Sequence, residues 1–369
     1  MTGASGMKLL VISYAGIGDT LFATPLIHEL RVNFPNATID AFVRWPGSRD
    51  LLENNPHLNS VRQKDLIKCG PVASLGFLGQ LRRNKYNVTI NTHPQSRALY
   101  RMVARFISAP VRISHLYDQS TIFDRMLVNR TIRQNYERHC IENNLALLEF
   151  LGVKPKAARH QYELYLSDAE LIWAKEFLGA EQLSDRKLLG IHVGSGGTKN
   201  LALRRWPLSR FEELIRRLNR SHPDLVILLF GGPEEEKDHE KLMMGQTGRS
   251  RILHPKTKNL RQAAALVKFC DLFLSVDTAL MHIAATMKVQ KQIVIETPTW
   301  NKPIEPYCNP FILVPNPAVA GRNLHYYRYD GRGIRGSPQE LIRCMESVSV
   351  DSVWQTIADA LKDSPSNPR

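Results

Sequence analysis

The chain has 369 residues, 43% hydrophobic and 23% charged, the balance of an ordinary globular protein. Its 49 Lys and Arg outnumber 35 Asp and Glu, a formal net charge of +14, and no apolar run approaches the roughly 18 residues that a membrane-spanning helix needs. Integral membrane, collagenous and wholly disordered classes are excluded, and the length favours two domains over a single core.

The opening MTGASGMKLL lacks a basic region followed by a long apolar core, so no secretory leader is expected. Five scattered cysteines (Cys69, Cys140, Cys270, Cys308, Cys344) without a Cys-x-x-Cys pair point to reduced thiols in a cytoplasmic setting rather than a thiolate metal cluster. Between Arg62 and Arg138 stand fourteen Lys and Arg against four acids. Such a block attracts phosphates or an anionic membrane face, or serves as a solvated surface. No zinc-finger or RNA-recognition signature accompanies it, so nucleic acid is not an expected partner.

In chain order, Lys8–Ser13 is a short apolar strand, followed by a glycine-bearing turn and helical spacing over 20–33. Residues 39–43 make a second strand, 75–83 a helix, 88–90 a strand and 97–107 a helix. A fresh series begins near 187 with a strand at 188–193, a glycine-rich loop and a helix over 208–219. Strands at 225–230, 272–276 and 292–295 then alternate with helices at 259–269 and 278–287. This alternation predicts parallel sheets covered on both faces. The expected layout is an α/β fold of two Rossmann-like domains over 1–175 and 176–347. Residues 348–369 would add a helix at 350–361, free to pack back on the first domain, and a frayed tail.

Four places carry chemistry. Gly16-Ile17-Gly18-Asp19 sits where the first strand runs into a helix; Asp19 is either a helix cap or a general base at a strand's carboxyl end. Gly194-Ser195-Gly196-Gly197-Thr198-Lys199, followed by Arg204-Arg205-Trp206-Pro207, offers backbone donors and a guanidinium to a phosphate, or is a plain loop. In Phe230-Gly231-Gly232-Pro233-Glu234, the acid either holds ribose hydroxyls or starts a solvated helix. Asp277-Thr278-Ala279-Leu280-Met281-His282 places a helix N-terminus at a buried strand's end, suited to a diphosphate. There Asp277 is also a natural cap, and His282 a natural core residue.

These motifs, in this order, resemble glycosyltransferase family 9, the heptosyltransferases. The resemblance implies a GT-B fold, two Rossmann-like domains facing across a cleft, and inverting transfer of a sugar from a nucleotide diphosphate, typically ADP-heptose, without cofactor or essential metal. On it, Asp19 matches the catalytic base. Gly194 and Ser195 match the phosphate loop, Glu234 the ribose acid, and Lys258 a contact to adenine. Asp277, Thr278 and His282 match the donor motif, and Arg204 offsets the leaving diphosphate. Two departures stand out: Arg204 replaces a usual lysine, and Ala279 a usual glycine. The lengthened stretch between Val193 and Arg204 makes Lys199 an alternative phosphate partner. Arg97, Arg101 and Arg105 recur every four residues and are expected to form one basic helical stripe. That stripe would recognise an anionic glycan or glycolipid acceptor, such as lipopolysaccharide inner core, at the cytoplasmic membrane face, or is a solvated helix face.

Overall fold

The computed structural model describes residues 6–195, 201–244, 251–300, 302–319 and 334–362. Lys199 and the tail beyond 362 lie outside them. The chain divides into two compact units, the first ending at Tyr165 and the second beginning at Leu166.

The first unit is built on six parallel strands: β1 (Lys8–Ser13), β2 (Thr38–Val43), β3 (Ser60–Gln63), β4 (Val88–Asn91), β5 (Val111–Leu116) and β6 (Arg130–Arg133). Their spatial order is β3-β2-β1-β4-β5-β6. The chain therefore builds outward from β1 on one side, then crosses and builds outward from β4 on the other. Central β1 buries Leu9 to Ile12 completely, which is why it reads as an unbroken apolar run. Edge strands β3 and β6 are polar (Ser-Val-Arg-Gln and Arg-Thr-Ile-Arg) and become strands only by pairing with β2 and β5. The single helix expected over 20–33 is two pieces, Ile17–Leu21 and Thr24–Asn33. Pro25, in the first turn of the second piece, has no N–H to bond back into the first.

The second unit holds β7 (Leu188–His192), β8 (Val226–Phe230), β9 (Ile252–Leu253), β10 (Leu272–Ser275), β11 (Lys291–Ile295) and β12 (Phe311–Val314), ordered β12-β11-β10-β7-β8-β9. Here the reversal lies between β7 and β10, which pair in parallel. The unit begins earlier than the expected residue 176. The helix Asp168–Ala180 opens with a Ser167–Glu170 capping box, and Glu170 forms an ion pair with buried Arg261 at 2.5 Å, tying that helix into the second unit. The helix Val350–Lys362 likewise belongs to this unit and not the first. Its Val353, Ile357 and Leu361 share a core with Trp206, Phe211 and Leu214, because their spacing puts them on one face. Among the described residues, no helix is long and apolar enough to cross a membrane.

Candidate active site

In the second unit, the segments following β7 and β10 emerge side by side at the carboxyl ends of the strands, at the reversal point where open parallel sheets take their ligands. Asp277 lies there, 7% exposed. Arg204 Nη1 donates to its Oδ2 at 2.8 Å and the Thr299 hydroxyl donates to the same oxygen at 3.1 Å. Thr297 and Thr299 share a further hydroxyl–hydroxyl bond of 2.8 Å. Burial pushes the Asp277 carboxyl up, and Arg204 and Thr299 pull it back. The Arg204 Nε–H is buried and has no acceptor among the described residues. An unsatisfied buried donor costs about 1–3 kcal/mol, which an incoming anion or water would relieve.

Thr278 caps the helix Ala279–Thr286, its hydroxyl accepting from the Met281 N–H and hydrogen-bonding His192 Nδ1 at 3.0 Å. The first-turn N–H groups of that helix carry the positive end of its dipole. His192 and His282 are both buried and pushed down to about 3, by burial first and Arg204 among the lesser causes. Both rings are therefore neutral at physiological pH, and His282 shapes the site rather than supplying a cation.

A second cluster holds Ser195. Arg205 donates to the Ser195 carbonyl at 3.2 Å, to its hydroxyl at 3.3 Å and to Glu235 Oε1 at 2.9 Å. Glu235 Oε2 accepts from the Gly232 N–H at 2.8 Å, and burial raises its carboxyl pKa. A Cβ on Gly194 would collide with the Glu235 carboxyl, so a larger residue there would have to displace that hydrogen-bonded side chain. The buried acid of the Glu234-Glu235-Glu236 run is thus Glu235, while Glu234 is exposed on the turn Pro233–Glu235. Lys258 also exposes its side chain; its N–H donates to Gln262 Oε1 at 2.8 Å, just ahead of the Asn259 cap. Trp206 is an anchor: its indole donates to the Val348 carbonyl at 3.0 Å and packs on Phe211, which positions the two preceding arginines.

In the first unit, Asp19 sits in the short helix Ile17–Leu21, partly exposed, beyond the carboxyl end of β1. Its Oδ2 accepts the Gly16 N–H at 2.7 Å, and a Cβ on Gly16 would stand 2.9 Å from that oxygen. The Trp45 indole pins the preceding Ala15 carbonyl at 2.8 Å. Asp19 is therefore a cap, and the capping bond orients its carboxylate at the β1/β4 reversal. Arg97, exposed, precedes the helix Ala98–Ile107, which follows β4.

The expected arginine stripe does not form. Arg101 is 1% exposed. Its Nε donates to Asp124 Oδ1 at 2.7 Å, its Nη1 to the Gln95 carbonyl at 3.2 Å and its Nη2 to the Ser96 carbonyl at 3.0 Å. It is a structural clamp, and only Arg97 and Arg105 of the three reach solvent.

As for metal ligands, His28, His57 and Glu163 bring one ligand atom each within 4.8 Å of one another. The Glu163 carboxylate already takes His28 Nδ1 at 2.5 Å and the Tyr165 hydroxyl at 2.9 Å, so this group satisfies itself.

Residues 75–323 match glycosyltransferase family 9 (heptosyltransferase). The chain belongs to this family. Lipopolysaccharide heptosyltransferase 3 of Escherichia coli K12 is 26% identical over 278 residues, covering 73% of this chain and 77% of its own length. A family 9 glycosyltransferase structure from Veillonella parvula has a TM-score of 0.74 at 20% identity, covering 97% of this chain and 98% of that one. The E. coli heptosyltransferase WaaC with ADP-2-deoxy-2-fluoro heptose gives 0.66 at 19%, covering 96% and 99%. These likenesses show the GT-B fold of two Rossmann-like domains.

In this family 9 glycosyltransferase, sequence reasoning singled out Asp19, Ser195, Asp277 and Thr278 after strands and Arg204 beyond the glycine-rich loop, but not Arg205, Glu235, Thr299 or His192. Arg205 and Glu235 adjoin residues that were singled out. Which member of each pair turns inward depends on what packs against it, and that has no local signature.

Proposed function

We propose that this glycosyltransferase moves a heptose from ADP-heptose to a hydroxyl of an anionic glycan acceptor such as the lipopolysaccharide inner core, with inversion and without a metal ion. One observation carries the donor side: half-buried Arg204 holds Asp277 at the sheet reversal while keeping a buried Nε–H with no acceptor among the described residues. That is a fixed cation and a donor awaiting an oxyanion. The names of the relatives, and the ADP-2-deoxy-2-fluoro heptose in the E. coli WaaC structure, support the choice of nucleotide sugar.

In this reading the Gly194–Ser195 backbone, Arg204 and the helix that begins at Ala279 receive the diphosphate. Asp277 takes sugar hydroxyls, with neutral His282 behind it, and Glu234 and Lys258 face the nucleoside. Asp19 accepts the proton of the acceptor hydroxyl as its oxygen bonds to the anomeric carbon and the bond from that carbon to the diphosphate breaks. Charge building on the departing ADP meets the Arg204 guanidinium and the helix N-terminus. Arg97 pairs with an anionic group of the acceptor. The scattered cysteines support a cytoplasmic setting.

The test is incubation of the protein with a panel of nucleotide sugars and a heptose-deficient lipopolysaccharide acceptor, with and without EDTA, following nucleoside-diphosphate release. ADP release from ADP-heptose that survives EDTA is the expected result. Turnover of a different nucleotide sugar would reassign the donor. ADP binding without turnover of any sugar would make the protein a non-catalytic binder.

A further inference from the structure

Three neighbouring helices of the first unit have apolar side chains on both faces. Ala98–Ile107 packs against Pro71–Arg83 on one side and Ile122–Leu127 on the other. Each buries an inner stripe, represented by Tyr100, Leu78 and Leu127. Yet Val72 is 84% exposed, Ile122 76% and Met126 69%, and Leu75, Met102 and Phe123 are also open to solvent. On the third helix, Ile122, Phe123 and Met126 project outward while Leu127 alone of its apolar side chains turns in. Adjacent helices that expose so many large apolar groups mark an interaction surface rather than an ordinary solvated one.

The charge on this surface has a single sign. No Asp or Glu occurs anywhere from Leu66 through Tyr117, which spans the first two helices. The third helix has one acid, Asp124, which is buried on Arg101. The exposed charges of the three helices are Arg82, Arg83, Arg105 and Arg125, all positive. Two copies of such a face would repel each other, which argues against self-association. An electrostatic ligand alone would leave the apolar groups unexplained. Bulky apolar side chains interspersed with arginines fit the boundary between headgroups and acyl chains of a bilayer that carries negative charge.

We propose that this three-helix face docks the protein onto an anionic lipid bilayer. The apolar side chains enter the interface, and the arginines meet lipid phosphates. The proposal stands apart from the choice of donor sugar, since it requires neither ADP-heptose nor turnover.

Vesicle flotation with phosphatidylcholine alone and with added phosphatidylglycerol tests it. The full-length protein should bind the anionic vesicles at least about tenfold more tightly than the neutral ones, and added salt should weaken that binding. Ile122→Ser combined with Met126→Ser should lower anionic-vesicle binding about tenfold, and Arg105→Glu with Arg125→Glu at least as much. Thermal midpoint and affinity for ADP should stay at wild-type values, since all four positions are exposed and none belongs to the proposed donor site. Equal binding to both vesicle types, absence of binding, or variants that bind like wild type would overturn the proposal. Concentration-dependent dimerisation abolished by the Ile122→Ser, Met126→Ser pair would also overturn it and assign the face to a second copy.

Discussion

Each unit contains an arginine–aspartate pair largely withdrawn from solvent, and the two pairs differ in one decisive respect. Arg101 and Asp124 in the first unit meet at 2.7 Å, and Arg204 and Asp277 in the second at 2.8 Å. Arg101 uses Nε on its aspartate and Nη1 and Nη2 on two main-chain carbonyls, so each of its nitrogens is engaged. Arg204 keeps a buried Nε–H without an acceptor among the described residues. The first arrangement is saturated by the fold; the second, in the proposed reading, keeps a donor for the diphosphate. The two pairs share their pairing and near-burial and differ in hydrogen-bond saturation. The units as wholes repeat the contrast. Both sheets reverse beside their first strand, but one reversal offers a backbone-oriented carboxylate and the other a guanidinium and a helix N-terminus. Topology sets where ligands bind, and side chains set which.

The sharpest test of that division is Asp19→Asn. It should lower kcat by about a thousandfold, within the range for loss of a general base, while calorimetric ADP affinity changes by less than about twofold. Unaltered turnover would remove the base from the first unit. Next in size is Arg101→Ala. It leaves Asp124 buried without its partner and should cost about 3–5 kcal/mol in urea unfolding. Arg105→Ala, one helical turn away and exposed, should cost under about 0.5 kcal/mol. Equal losses would mean that the saturated clamp has been misread. Arg204→Lys retains the charge but not the planar fork of donors. ADP affinity should fall about tenfold, with a smaller loss of stability than Arg101→Ala produces. The reverse ranking would make Arg204 a second clamp.

A separate test concerns pH. Burial holds His192 and His282 at about 3, and His115 and His239 at about 4, against an ordinary value of 6.5. Below pH 6.5 the unfolded chain binds protons that these rings refuse in the folded state. Their contribution is therefore complete above pH 6.5 and is lost progressively as pH falls towards about 3. Urea midpoints should drop between pH 7 and pH 5, and a midpoint independent of pH over that interval would contradict the buried, neutral assignment of these rings.

How much was legible follows the same physics. The central strands β1, β7 and β10 are buried on both faces, so each is a continuous apolar run visible without context. Asp277 and Thr278 are legible for the same reason, since they end such a run and begin a helix. The edge strands β3 and β6 carry no such pattern, because one neighbour supplies most of what makes them strands. The three arginines at helical spacing were the clearest misreading. A spacing of four puts residues on one helix face but does not say whether that face meets water, and Arg97 precedes the first turn rather than joining it.

The sequence by itself therefore determined the alternation of strands and helices, the two-domain class, and the strand-end positions of Asp19, Ser195 and Asp277. All of these rest on local apolar runs, glycines and caps. The tertiary structure alone decided which of Arg204 and Arg205, Glu234 and Glu235, or Arg101 and Arg105 turns inward on which partner. Those choices are made by residues brought from far along the chain, Asp124 to Arg101 and Asp277 to Arg204, and a buried charge goes where a distant partner can compensate it.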